Sequence, residues 1–262
     1  MTRAKKSLGQ NFLTDQIVIN HILKTVKPKK TDRFFEIGAG KGALTTNFLS
    51  KVKMLDSVEI DKELINNLRK LELSSHKLKV HLNSVLKIDL EKLSKGKFKF
   101  RVIGNLPYNL SSKIMLWSFQ NSLNILDLHY MFQKEFGERL ISSPGKKTYG
   151  RLSVLSQYMF ESLELFEISP ESFRPRSSVK SIFIKFIPKP KKDVNSLEAL
   201  KLQEITQLMF SKRRKKISNS CKSLVSLNEL IDLGINPEDR PESLAAEDFL
   251  KITKYLLLKK NG

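Results

Sequence analysis

The sequence predicts an α/β protein: a Rossmann-like, mostly parallel seven-stranded sheet with one antiparallel edge strand, followed by a small all-α domain. Three observations predict it. Short apolar runs alternate with helical patterns over residues 33–132, the mark of a parallel sheet built from βα units. The first run enters a glycine loop, Gly38-Ala39-Gly40-Lys41-Gly42, that opens a helix. After Pro188-Lys189-Pro190-Lys191-Lys192, a linker by composition, only helical patterns occur. The expected domains are residues 1–187 and 188–262.

Residues 7–15 mix turn formers with Phe12 and Leu13, and they read as a docking arm or as a loop folded over a ligand. Asp15 or Thr14 is the expected cap of a helix through Ile17, Ile19, Ile22, Leu23 and Val26, which Pro28 ends. Residues 33–37 form the first sheet strand. The loop after it is spaced G-x-G-x-G, not G-x-G-x-x-G, so a pyrophosphate cofactor is less favoured, while close approach of backbone to a ligand is still allowed. The second strand, residues 54–60, ends in Glu59 and Ile60. Glu59 lies 21 residues after Gly38, a spacing that places an acid to bind ribose hydroxyls. Residues 78–83 are the third strand, with the turn Ser84-Val85-Leu86 at the ligand-binding edge.

The fourth strand, residues 100–104, delivers Asn105-Leu106-Pro107-Tyr108 to the end of the sheet where open α/β folds bind ligands. These residue types suit one reaction. An exocyclic amine on a nucleobase is a poor nucleophile because its lone pair is delocalised into the ring. The Asn105 amide oxygen and the Leu106 carbonyl would accept its two N–H groups, aim the lone pair at an electrophile and stabilise the developing positive charge. Pro107 fixes the backbone, and Tyr108 offers a face on which a flipped base stacks. A helix through Ile114, Met115, Trp117 and Phe119 and a fifth strand, residues 126–132, follow.

Residues 134–141 and 152–160 read as helices, separated by a basic loop that ends in Arg151 and suits contact with a phosphate backbone. Residues 163–168 and 181–187 are expected to form an antiparallel pair at one edge. Phe173, between them, is the candidate second face of a base clamp opposite Tyr108. Helices are expected over residues 197–210, 217–227, 227–233 and 246–258, with the cation run Lys212-Arg213-Arg214-Lys215-Lys216 as an RNA-backbone patch.

Composition bounds the partners. Lys and Arg outnumber Asp and Glu by 47 to 27, a net charge of +20, which points to a polyanion. One cysteine excludes a disulfide framework, and four scattered histidines give a metal site little support. No apolar run reaches ~20 residues, so no membrane span is expected, and a cytoplasmic or nucleoid-facing protein is the simple reading.

Nearly end to end, the chain resembles the KsgA/RsmA-type rRNA adenine dimethyltransferases, whose wider family includes the Erm-type enzymes. The carriers are Gln10-Asn11-Phe12-Leu13, the stretch 36–45, Val58-Glu59-Ile60-Asp61, Asn105-Leu106-Pro107-Tyr108-Asn109, the stretch 149–154, Arg213-Arg214-Lys215-Lys216 and Arg240-Pro241-Glu242. The resemblance implies a class I methyltransferase fold with S-adenosylmethionine as cofactor. It implies that Asn11 and Leu13 close over the cofactor, that Gly38 and Gly40 lie against it, that Glu59 holds its ribose, that Ile60 is a further cofactor contact, and that Ser84 faces its adenine. It implies that Asn105 faces the reacting centre and that Tyr108 and Phe173 embrace the base. The implied substrate is a pair of adjacent adenosines in a small-subunit rRNA hairpin loop, each methylated twice on N6, within an immature 30S particle, by a monomer. Two stretches depart from the pattern. Ser84 stands where Asp is usual, and Pro175-Arg176-Ser177-Ser178-Val179-Lys180-Ser181 stands where Pro-x-Pro-Lys-Val-Asp-Ser is usual. The competing readings are an Erm-type enzyme acting on 23S rRNA and a non-catalytic ribosome-assembly factor on the same fold.

Overall fold

The computed structural model describes Lys5, residues 9–190 and residues 196–261. The chain opens with β1 (Phe12–Leu13) and α1 (Gln16–Val26). Asp15 caps α1, its Oδ1 accepting from the Ile17 and Val18 N–H groups at 2.9 and 3.3 Å. Then come β2 (Arg33–Ile37), α2 (Ala43–Leu49), β3 (Met54–Glu59), α3 (Lys62–Leu73), β4 (Leu78–Leu82), α4 (Leu90–Ser94), β5 (Phe100–Asn105), α5 (Ser111–Gln120) and β6 (Ile125–Gln133). The helices α6 (Lys134–Leu140) and α7 (Arg151–Met159) lead to β7 (Phe160–Ile168), β8 (Phe173–Arg174) and β9 (Ser181–Pro188). The chain closes with α8 (Ser196–Ser211), α9 (Ile217–Ser220), α10 (Leu227–Asp232) and α11 (Ala246–Asn261).

The seven-stranded sheet runs β4-β3-β2-β5-β6-β9-β7. The pairs from β4 through β6 are parallel, and β9 is antiparallel to β6. The antiparallel strand is therefore one place in from the edge, and β7 forms the edge itself. β7 suits that place, because Glu161, Ser162, Leu163 and Glu164 are all exposed and edge charges discourage pairing with another chain. The inner strands β2 and β5 are apolar runs because both faces are covered: Phe34, Phe35, Phe100 and Val102 are fully buried. Helix α1 lays Ile19, Ile22 and Val26 into this core beside Phe34, Phe48 and Ile103.

A second, two-stranded sheet pairs β1 with β8, Leu13 opposite Phe173. The arm at residues 7–15 thus holds a strand in its described part. Phe173 belongs to the same buried cluster as Leu13, Ile19 and Ile103 and has no exposed surface. Its ring is a core residue here and not a face of the base clamp. Burying an aromatic side chain is worth a few kcal/mol, enough to hold it inward.

Two compact units divide the chain. One comprises residues up to Gly137 with Leu163–Pro188, and the other Glu138–Ser162 with the residues from Lys189 onward. The second unit takes α7 as well as α8–α11, so it contains residues 138–162, which the linker-based boundary assigns to the first domain. Packing explains the choice. Tyr149 is fully buried, 6.2 Å from the Phe210 ring, and Phe210 stacks on Phe249 at 5.6 Å. The helix expected over residues 217–227 is only the four-residue α9. Its serines compete with helical hydrogen bonds, and Ser226 instead caps α10 in a capping box with Glu229.

Candidate active site

A cavity opens at the C-terminal ends of β2, β3, β4 and β5, the crevice that open α/β sheets offer to ligands. Each strand end contributes. After β2 come Gly38 and Gly40, from β3 Glu59 and then Ile60, after β4 Asn83, Ser84 and Val85, and from β5 Asn105 followed by Leu106, Pro107 and Tyr108. The arm adds Gly9, Gln10, Asn11 and Phe12. Most predicted site residues of this end of the sheet are therefore brought together. Leu13 is not. It alternates with Phe12 along β1, so Phe12 meets the cavity while Leu13 turns into the core at 4% exposure. Leu13 reaches only a smaller neighbouring space, which it shares with Glu36 and Asn105.

The arm is tied down by charge. Asp61 follows β3 and is buried; it accepts from Lys5 Nζ and from Gln10 Nε2, each at 2.8 Å. Burial pushes the Asp61 carboxyl up, but the hydrogen bonds from Lys5 and Gln10 outweigh it and hold the group below its ordinary value. Gln10 and Asp61 lie inside the motifs that carry the resemblance, but nothing in their local sequence marks them as partners.

The glycine loop is a cradle. Gly38 and Gly40 have φ of +70° and +58°, and a Cβ on Gly40 would stand 3.2 Å from the Phe12 ring. Both positions need glycine for their conformation, and Gly40 for space as well. Glu59 accepts three backbone N–H groups: Gly40 on Oε2, Ile60 and Asp61 on Oε1, each at 2.8 Å. A carboxylate has about four lone-pair sites. One remains on Oε2, so Glu59 can accept one hydroxyl of a diol as it stands and a second by displacing the Gly40 N–H. Glu36 is wholly buried and accepts from Thr45 Oγ1 at 2.6 Å and Ser57 Oγ at 2.8 Å. Burial pushes its carboxyl up, against those two bonds. It ties β2 to α2 through Thr45 and to β3 through Ser57.

Asn105 is half-buried. Its Nδ2 donates to the Asn11 carbonyl at 2.8 Å, and no donor among the described residues takes its Oδ1. The amide is thus locked with its acceptor half spare. The Leu106 N–H is used by the Met131 carbonyl at 3.3 Å, and the Pro107 carbonyl closes a turn with the Leu110 N–H at 2.9 Å. Tyr108 is half-buried at the cavity wall, and its hydroxyl lies 2.8 Å from Ser181 Oγ and 3.3 Å from Ser177 Oγ. Among the described residues, no cluster of His, Cys, Asp and Glu is arranged to hold a metal, and no helix is long and apolar enough to cross a membrane.

The cations predicted to meet RNA lie in the second unit, and they are not equivalent. Arg213 is ion-paired with Glu242 and donates to the Lys147 carbonyl at 2.8 Å, and Lys216 is ion-paired with Glu238. Both are already engaged. Lys212, Arg214 and Lys215 are exposed, and no acid among the described residues pairs with them. Arg151 opens α7 half-buried, with its Nε unpartnered among the described residues, and burial pushes its guanidinium pKa down.

The fit to S-adenosylmethionine is good on the structure's own terms. A glycine cradle, a carboxylate with spare acceptor capacity and apolar walls from Ile37, Val58 and Val85 surround one space. Comparison with known proteins agrees. The family model described as "Ribosomal RNA adenine dimethylase" matches residues 1–257. The chain is 38% identical over 253 residues to "Ribosomal RNA small subunit methyltransferase A" of Dechloromonas aromatica, covering 97% of this chain and 98% of that one. It is likewise 38% identical to the protein of that name in Legionella pneumophila, covering 96% and 97%. A dimethyladenosine transferase from Plasmodium falciparum superposes with a TM-score of 0.78 at 25% identity over 95% of this chain and 97% of that one. The 23S rRNA methyltransferase ErmE superposes at 0.72 with 21% identity, covering 94% and 99%, a likeness of fold.

Proposed function

The chain belongs to the ribosomal RNA adenine dimethylase family, and from that premise we propose that it dimethylates N6 of two adjacent adenosines in a hairpin loop near the 3′ end of small-subunit rRNA. The observation that carries the reading is the locked Asn105 amide: Nδ2 held by the Asn11 carbonyl, Oδ1 spare at the cavity wall.

S-adenosylmethionine, when bound, supplies an electrophilic methyl group. Gly38 and Gly40 admit it closely, Glu59 accepts from its ribose, and Ser84 and Val85 line the adenine side. Asn105 Oδ1 and the Leu106 carbonyl accept the two N–H groups of the target amine. These acceptors draw its lone pair out of conjugation and stabilise positive charge as it builds on nitrogen. Tyr108 presents a ring face to the flipped base. The proton of the methylated amine is acidic enough to leave to an acceptor or to water, so no side-chain base is required.

Lys212, Arg214, Lys215 and Arg151 are assigned to the RNA backbone. The immature 30S subunit is the favoured form of the substrate, because a loop presented by a particle lowers the few kcal/mol that base flipping costs. The enzyme is assigned as a monomer in the cytoplasm. The test is methyl transfer from labelled S-adenosylmethionine to immature 30S particles and to large-subunit precursors. Incorporation into 16S rRNA as N6,N6-dimethyladenosine is expected. Labelling of 23S rRNA alone would move the protein to the Erm-type activity, and no incorporation into either would leave a non-catalytic factor.

A further inference from the structure

The Tyr108 hydroxyl does not face solvent at large. It meets two serines, both essentially buried, at 2% exposure for Ser177 and 0% for Ser181. Ser181 is the first residue of β9, and Ser177 lies in the turn before it. The donors can be counted. Ser177 Oγ donates its single proton to the Val179 carbonyl at 2.8 Å, so toward Tyr108 it can only accept. With both contacts made, the Tyr108 O–H points to Ser177 and the Ser181 O–H points to Tyr108. The result is a directed chain, Ser181 to Tyr108 to Ser177 to the Val179 carbonyl. The Ser181 link is the tighter at 2.8 Å, and the Ser177 link is long at 3.3 Å.

Two consequences follow. The only proton of the Tyr108 hydroxyl is spent within the protein, so Tyr108 meets a base with its ring face and not as a proton donor. The far end of the ring is also anchored against sideways swing by the bonds at its hydroxyl, which a phenylalanine would lack. Ser177 stands at the second proline of the usual pattern, and proline has no side-chain oxygen to offer there.

We propose that Ser181, backed by Ser177, is a positioning residue that orients the Tyr108 ring for stacking on the target adenine. The proposal rests on Tyr108 being the stacking platform, and the test separates the two ideas. Single-turnover methylation of immature 30S particles is measured for Ser181→Ala, Ser177→Ala, Tyr108→Phe, Tyr108→Ala and the double variant Ser181→Ala/Tyr108→Phe, alongside calorimetric binding of S-adenosylmethionine. Ser181→Ala and Tyr108→Phe should each slow the methyl-transfer step about 2- to 12-fold, the worth of one neutral hydrogen bond. Ser177→Ala should do less, the double variant should be no slower than Tyr108→Phe alone, and cofactor affinity should not move. A double variant in which the two losses multiply overturns the proposal, since Ser181 would then act apart from the hydroxyl. Full rate in Ser181→Ala with a slow Tyr108→Ala overturns the positioning role alone. Full rate in Tyr108→Ala overturns the platform and the proposal together.

Discussion

Strand β5 carries a polar residue at each end, and the two are treated oppositely. At the start, Arg101 has its guanidinium engaged on all sides. Nε reaches both Asp127 oxygens at 3.0 and 3.2 Å, Nη1 reaches Asp32 at 2.7 Å, and Nη2 reaches the Val26 carbonyl at 2.9 Å. Four residues on, Asn105 has only its donor half engaged, and its acceptor waits at the cavity. Both residues are among buried strands of one sheet. The closed end ties α1, β2, β5 and β6 together, whereas the open end leaves bonding capacity unspent. An unmet acceptor at a half-buried position is a cost to folding, and it is tolerated where a ligand will meet it. Glu59, with one site left after three backbone bonds, shows the same economy.

The sharpest way to break this contrast is Arg101→Ala. Removing one partner of a buried ionic network costs ~3–5 kcal/mol, because Asp127 and Asp32 lose the guanidinium that pairs them, with their side chains 13% and 14% exposed. Urea unfolding should show that loss while the rate per folded molecule stays near wild type. A variant of normal stability would mean the closed end is not closed by Arg101. The converse variant, Asn105→Ala, should melt close to wild type yet lose ~100- to 1,000-fold in kcat, as for one lost transition-state partner, with cofactor affinity changing less. Near-normal turnover would remove Asn105 from the chemistry.

The second unit offers a comparison of its own, between paired and free cations. Neutralising Lys212, Arg214 and Lys215 together should lower the slope of log K against log salt for rRNA binding by roughly 2–3, at about 0.7–0.9 per phosphate contact. Neutralising Lys216, already paired with Glu238, should change the slope little. Equal slopes for the triple variant and wild type would make the run a solvated surface. The smallest effect is expected at Ser84, which lines the cavity with no side-chain capping bond of its own. A carboxylate accepts more strongly than a hydroxyl, by roughly 1 kcal/mol. Ser84→Asp should therefore tighten S-adenosylmethionine about 5-fold with little change in kcat at saturation. Calorimetry showing equal or weaker binding would mean that the adenine is satisfied elsewhere.

What was legible in the sequence follows from how local each signal is. The inner strands announce themselves as apolar runs, and the glycine loop and the 105–108 corner carry their geometry in their residue types, so the cavity end of the sheet could be assembled from sequence. Choices made by tertiary partners could not. Phe173 reads equally well as an exposed clamp or as a core ring, and only its pairing with Leu13 across two short strands decides for the core. Residues 138–162 follow the sheet in sequence but pack with the C-terminal helices, because Tyr149 finds Phe210 there. The division of labour among residues 212–216 depends on acids more than twenty residues away. The hydroxyl chain through Ser177 and Ser181 likewise joins residues some seventy positions apart.

The central claim, that this protein dimethylates adenosines of the small-subunit rRNA through the Asn105 corner, is tested most directly by mass spectrometry of both rRNAs. The cells to compare lack the gene, or carry it restored as wild type or as Asn105→Ala. Two adjacent N6,N6-dimethyladenosines near the 3′ end of 16S rRNA are expected with the wild-type gene. Their absence is expected without the gene, their near-absence with Asn105→Ala, and no change in 23S rRNA. Dimethyladenosine in 16S rRNA that persists without the gene, or a loss confined to 23S rRNA, would contradict it.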